Sequence, residues 1–150
     1  VSVFYQIVEA VASEVGTAVS DFGTPTLIRR RNVWVDGDPL PVILVSPGDT
    51  EEVADEDFTG ETSWIYPVNV NMVWPDDRNN GFEVDAQLYL DIREAIRNRL
   101  YYPLLADVAE VWDVQILGTS PFTLPDQRGT YSSTGWMVKY KAKEQRRMAP

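Results

Sequence analysis

Trp64-Ile65-Tyr66-Pro67-Val68-Asn69-Val70-Asn71-Met72-Val73-Trp74 is the stretch whose reading decides the fold. Trp64, Tyr66, Val68, Val70, Met72 and Trp74 recur at every second position, which places them on one face of a pleated strand. At ~3.3 Å per residue this strand spans ~36 Å, well past the usual strand length. A polar turn, Pro75 to Gly81, follows it. Next comes an amphipathic helix from about Val84 to Leu100, with Leu88, Ile92, Ala95, Ile96 and Leu100 on one stripe and Asp91, Arg93, Glu94 and Arg97 off it. A long strand with an apolar face, followed at once by a helix with an apolar stripe, is half of a two-layer α+β core.

Working outward, Phe4, Val8, Val11, Val15 and Ala18 repeat at threes and fours, so residues 3–19 are expected to form a packed helix. Residues 26–35 and 41–46 are rich in β-branched side chains and flank the turn signal Asp36-Gly37-Asp38-Pro39, which predicts a hairpin. Arg29, Arg30 and Arg31 lie in its first strand. They fit an exposed edge guarded by charge, or a surface that meets an acidic partner. Residues 47–60 are expected to be an acidic loop that orders on assembly.

Beyond the long helix, Tyr101-Tyr102-Pro103 is a stop signal, because proline disfavours helical geometry in the residue before it. Residues 104–110 suggest a short turn of helix. Val111 to Leu117 is an expected strand with Trp112, Val114 and Ile116 on one face, and 118–129 a polar loop. In the last strand, Tyr131 to Lys143, Trp136, Val138, Tyr140 and Ala142 face the core while Lys139, Lys141 and Lys143 face away. Residues 145–150 are expected to be a loose tail. The expected fold is a single α+β domain over 1–150 with the order α-β-β-β-α-β-β. It has a mainly antiparallel sheet of about five strands, with two main helices packed on one face.

Composition narrows the chemistry. The chain's 150 residues contain neither cysteine nor histidine. That removes Ser-His-Asp and Cys-His catalysis, thiolate or histidine metal sites, and the usual pH switch. Neither a Walker loop nor a G-x-G-x-x-G turn occurs to cradle a phosphate. Asp76 with Asp77, and Glu83 with Asp85, are carboxylate pairs that turn and helix-cap chemistry already explains. The acidic loop invites a calcium site, but its spacing fails the D-x-[DN]-x-[DN]-G pattern. The expectation is therefore no enzyme, no cofactor and no metal, with a calcium-dependent binding module as a distant alternative.

The net charge of −10 opposes nonspecific binding to nucleic acid. No apolar run is long enough to span a membrane, and the N-terminus lacks a basic-then-apolar signal pattern, so a soluble cytoplasmic protein is expected. Numbering starts at Val1, as expected after initiator removal or trimming. Charge is unevenly placed. From Asp36 to Glu61 there are nine acids and no base, whereas Lys139, Lys141, Lys143, Arg146 and Arg147 crowd the other end. Such polarity suits head-to-tail contact between identical subunits.

The order of elements, with the Trp64–Trp74 strand, the Asp85–Leu100 helix and the finish Gly135-Trp136-Met137-Val138-Lys139-Tyr140, resembles the tail terminator proteins of long-tailed bacteriophages. It is similar too to their relatives among tail-completion and neck proteins. The resemblance covers about residues 3–143 and rests on architecture rather than on a diagnostic motif. It implies a virion protein of the tail or neck, assembled in the host cytoplasm. Such a protein forms a six-fold ring on the tail tube, stops tube growth and meets a head-completion or neck protein. DNA passes through the ring without sequence-specific binding, and no membrane is involved. Candidate interface residues are Arg29, Arg30, Arg31, Glu51, Glu52, Asp55, Asp57, Tyr101, Tyr102, Lys139, Lys141 and Lys143.

Overall fold

The structure is a computed structural model. It describes residues 2–22, 27–30, 41–48, 52–56, 61–75, 82–101, 105, 108, 110–118 and 131–145. Its elements run α1 (Val3–Ser20), β1 (Leu27–Arg29), β2 (Val42–Pro47), β3 (Glu52–Glu56), β4 (Glu61–Pro75), α2 (Phe82–Tyr101), β5 (Val111–Gly118) and β6 (Tyr131–Gln145). This is the expected α+β class, with one strand more than the alternation reveals.

Ser2 caps α1. Its hydroxyl accepts from Tyr5 N at 3.1 Å, satisfying one of the orphan donors of the first turn. Ile7, Val8, Val11, Ala12, Val15, Ala18 and Val19 are buried, which is the expected stripe made slightly wider. In α2, Ile92, Ile96 and Leu100 are buried as the pattern implies, and Tyr89 joins them, stacked on Trp74 of β4 at 4.8 Å between ring centres. The two helices pack side by side on the sheet face carrying Ile43, Val45, Tyr66, Val68, Val70, Met72, Trp74, Trp136, Val138 and Tyr140. An ion pair between Arg99 and Glu14 ties one helix to the other. The Tyr140 hydroxyl, in the core, donates to Leu100 O at 3.4 Å. Burial, and then the charge of Glu14, pushes this phenol above its ordinary range, so it stays protonated.

The sheet order is β1-β2-β4-β6-β5, with β3 also paired to β4. β4 and β6 are antiparallel over their whole lengths, Glu61 opposite Gln145 to Pro75 opposite Tyr131. Because β6 occupies one full side of β4, β3 lies on the other side, in line with β2. Residues 52–56 thus extend the β2 side of the sheet, which corrects the acidic loop expected over 47–60 at those positions. The break between β2 and β3 has a cause in Pro67. The Pro67 carbonyl accepts from Gly48 N at 2.8 Å, so the donor that proline lacks faces the same edge. A Cβ on Gly48 would lie 2.7 Å from Pro67 Cβ, so only glycine lets the two backbones approach there.

Three further expectations are corrected. β1 pairs β2 in parallel, Leu27 with Val42 to Arg29 with Leu44, so residues 26–46 are not a hairpin. The turn expected at 36–39 lies outside the described residues. Arg93, assigned to the polar side of α2, faces the sheet instead. Its guanidinium sits 3.5 Å over the Trp136 ring, and its Nε donates to Thr134 Oγ1 at 2.9 Å. Arg93 follows Tyr89 by four residues and precedes Ile96 by three, so it shares their stripe. Burial, with Arg97 adding to it, lowers its pKa.

The third correction concerns β5. Its register against β6 shifts between Val111 and Asp113, a bulge that separates Trp112 from the core face of Val114 and Ile116. Between α2 and β5, Val108 N donates to Leu105 O and Val111 N to Val108 O, while residues 104, 106, 107 and 109 of the helical turn expected there lie outside the described residues. Of the polar segments expected at 75–81, 118–129 and 145–150, Pro75, Gly118 and Gln145 are instead the last residues of strands, and the rest lie outside the described residues.

Candidate functional site

Among the described residues, the expected interface residues that the structure gathers together are the three lysines of β6. With Trp136, Val138, Tyr140 and Ala142 committed to the core, strand alternation sends Lys139, Lys141 and Lys143 to the opposite face, about 7 Å apart. Lys139 lies between Pro67 of β4 and Gln115 of β5, and Lys141 between Ile65 and Asp113. Lys143 is opposite Ser63, and its backbone N–H donates to Glu110 O at 2.9 Å.

The bulge adds an aromatic group to this ladder. Trp112 is 45% exposed, and the Nζ atoms of Lys141 and Lys143 each lie 5.5 Å from its ring centre. Each contact is worth about 0.5–1 kcal/mol at an exposed site. Asp113 holds the bulge from both sides. Its Oδ1 accepts from Val114 N at 2.9 Å, and its Oδ2 lies 3.7 Å from Lys141 Nζ. Leu117, 40% exposed, continues the apolar content along the same strand. Strict alternation assigns Trp112 to the core and gives no sign of the bulge. The adjacent aspartate, a poor interior-strand residue, is the one local hint.

The other candidates are scattered. Arg29 is exposed at the β1 edge of the sheet, the side remote from the lysines. Arg30 is paired within its own chain, its Nη2 3.1 Å from Glu9 Oε2 and its Nε 3.2 Å from Glu9 Oε1. Tyr101 ends α2 with 53% of its surface exposed. Glu52 and Asp55 are register positions on β3. Glu52 pairs with Ile65, which pairs with Lys141, and Asp55 pairs with Ser63, which pairs with Lys143. The acidic strand and the basic ladder are therefore two strands apart at one end of the sheet, about 10 Å. Arg31, Glu51, Asp57 and Tyr102 lie outside the described residues.

Chemically, this face offers three ammonium groups beside one exposed indole ring. Among the described residues, no three His, Cys, Asp or Glu side chains gather as metal ligands, and no helix is long and apolar enough to cross a membrane. A cleft of about 390 Å³ opens between the helices, lined by Thr17, Ala18, Asp21, Phe22, Ala95, Asn98 and Arg99. Its cation, Arg99, is already taken by Glu14.

No family model matches this chain, and no curated protein matches it. Among solved structures, it is similar to a chain of the "virion of native gene transfer agent (GTA) particle". That likeness covers 92% of this chain and 95% of the other, at 16% identity and a TM-score of 0.49. Agreement at that level carries no inference about function.

Proposed function

We propose that this chain is a structural protein of a phage-like virion, and within it a tail terminator. Copies join head to tail in a ring on the end of the tail tube, stop its growth and present a surface to the head-completion or neck protein. The observation that carries this reading is the sheet end where acidic β3 and the lysine ladder of β6 lie two strands apart on opposite sides of β4. Unlike flanks on one sheet are what a heterologous contact uses, and heterologous contacts make a ring where the rotation between copies closes. The resemblance to the tail terminator proteins supports it through the long strand, the helix after it and the two closing strands, not through the hairpin or the acidic loop. A net charge of −10 keeps duplex DNA from adhering to the wall of such a ring.

Disruption of this gene in its parent particle, followed by negative-stain microscopy, tests the proposal. Overlong tubes without heads are the expected result. Tails of normal length beside unjoined, filled heads would move the protein to the neck. Normal particles would remove it from the virion altogether.

A further inference from the structure

The two outer strands at the charged end of the sheet differ in character but match in direction. Among the described residues, β3 pairs only with β4, and β5 only with β6. Each therefore offers a second edge of backbone N–H and C=O groups. β3 carries Glu52, Asp55 and Glu56 in five residues. β5 is eight residues long, is backed by Lys139, Lys141 and Lys143, and exposes Trp112 and Leu117. Every pairing along β3-β4-β6-β5 is antiparallel, so β3 and β5 run in opposite directions.

We propose that β5 of one copy receives β3 of the next, so that the sheet continues from subunit to subunit. A copy displaced sideways with its strands aligned presents β3 antiparallel to β5, the pairing already used through this half of the sheet. The levels agree as well. Glu52, Ile65, Lys141 and Asp113 form one cross-strand row, so in the unshifted register the neighbour's Glu52 faces Asp113, a like charge, and only Lys141, one strand further in, offsets it. The neighbour's Asp55 arrives at the level of Lys143, which meets no carboxylate among the described residues.

Trp112 and Leu117 supply apolar cover at the seam, where interface cores favour aromatic side chains. A two-fold pairing of β5 with β5 would instead bring two lysine ladders toward each other on one continuous sheet. β1, the outer strand beyond β2, is three residues long and ends at Arg29, so it offers β5 less backbone and the wrong charge.

This seam rests on the ring reading, and the experiment separates the two. The chain has no cysteine, so an introduced thiol is unique. The assembly state of the unaltered chain is measured first by sedimentation. Gln115→Cys and Glu52→Cys chains are then treated with a short bis-maleimide, separately and mixed, with Asp55→Cys as a second β3 position. Circular dichroism melts confirm that each variant folds. The expected result is a ring in which the mixed sample yields chiefly a cross-link containing one chain of each kind. Cross-linked pairs from Gln115→Cys alone would overturn the seam in favour of a two-fold contact. A ring without any cross-link would overturn the seam and leave the ring reading standing. An unaltered chain that stays monomeric at every concentration would overturn both.

Discussion

The face of the sheet turned away from the helices is two different surfaces. On β2 and β4 it is interior, where Val42, Leu44, Ser46 and Val73 are all buried. On β6 and β5 it carries Lys139, Lys141 and Lys143 with the exposed side chains of Trp112 and Leu117. Between them Asn71 of β4 lies over Gly135 of β6. The sheet therefore has two covered faces on one side and only one on the other. The half left open carries the basic charge, as expected of a half reserved for a partner. An antiparallel sheet tolerates one wet face, and large apolar side chains standing among cations there are what the proposed seam would cover.

The contrast breaks most visibly at two leucines on this same face. Leu44 is 3% exposed, and Leu44→Ala is expected to cost about 2–5 kcal/mol, the range for a leucine removed from a packed interior. Leu117→Ala is expected to stay within about 0.5 kcal/mol, because an exposed side chain leaves no cavity. Urea unfolding of both variants decides the matter, and equal losses would mean that the two halves are buried alike. Gly135→Ala probes the boundary. A Cβ there would lie 2.0 Å from Asn71 Oδ1 and 2.7 Å from Val70 O. The amide can swing aside but the carbonyl cannot, so a loss of about 1–3 kcal/mol is expected from the forced backbone shift. A double variant that also carries Asn71→Ala should recover only part of it, read from the same unfolding curves.

These differences explain what the sequence reveals and what it hides. β4 and β6 are legible because polar residues interrupt the second face of each over a long run: Asn69 and Asn71 do so in β4, although Val73 is buried there, and Lys139 and Lys141 do so in β6. The helices are legible for the same reason at period 3.6. β2 is harder, since burial on both faces erases alternation and Val42 to Val45 reads as a plain apolar run. β3 is hidden because its pairing is set by β4, while its acidic composition argues locally for a loop. The parallel course of β1 depends on contacts beyond the turn signal at 36–39. Of the site, the lysine ladder follows from alternation alone, whereas the emergence of Trp112 depends on one extra residue in β5. A single-residue shift reverses which face a side chain takes, and alternation cannot register it.

A smaller effect of opposite sign sharpens the same contrast. Ser46 lies on the buried half, and among the described residues its Oγ finds no hydrogen-bond partner. A hydroxyl taken out of water without a partner pays its desolvation and recovers nothing. Ser46→Ala removes that oxygen and changes little else in volume. It is expected to raise stability by about 1 kcal/mol, visible as a higher urea midpoint with an unchanged slope. On an open face a serine is hydrated, and the same substitution is close to neutral. A midpoint that falls would mean that the hydroxyl is satisfied in the assembled or hydrated protein. The β2 half would then be a wet surface like the β5 half, and the division of this face into an interior and a docking side would be lost.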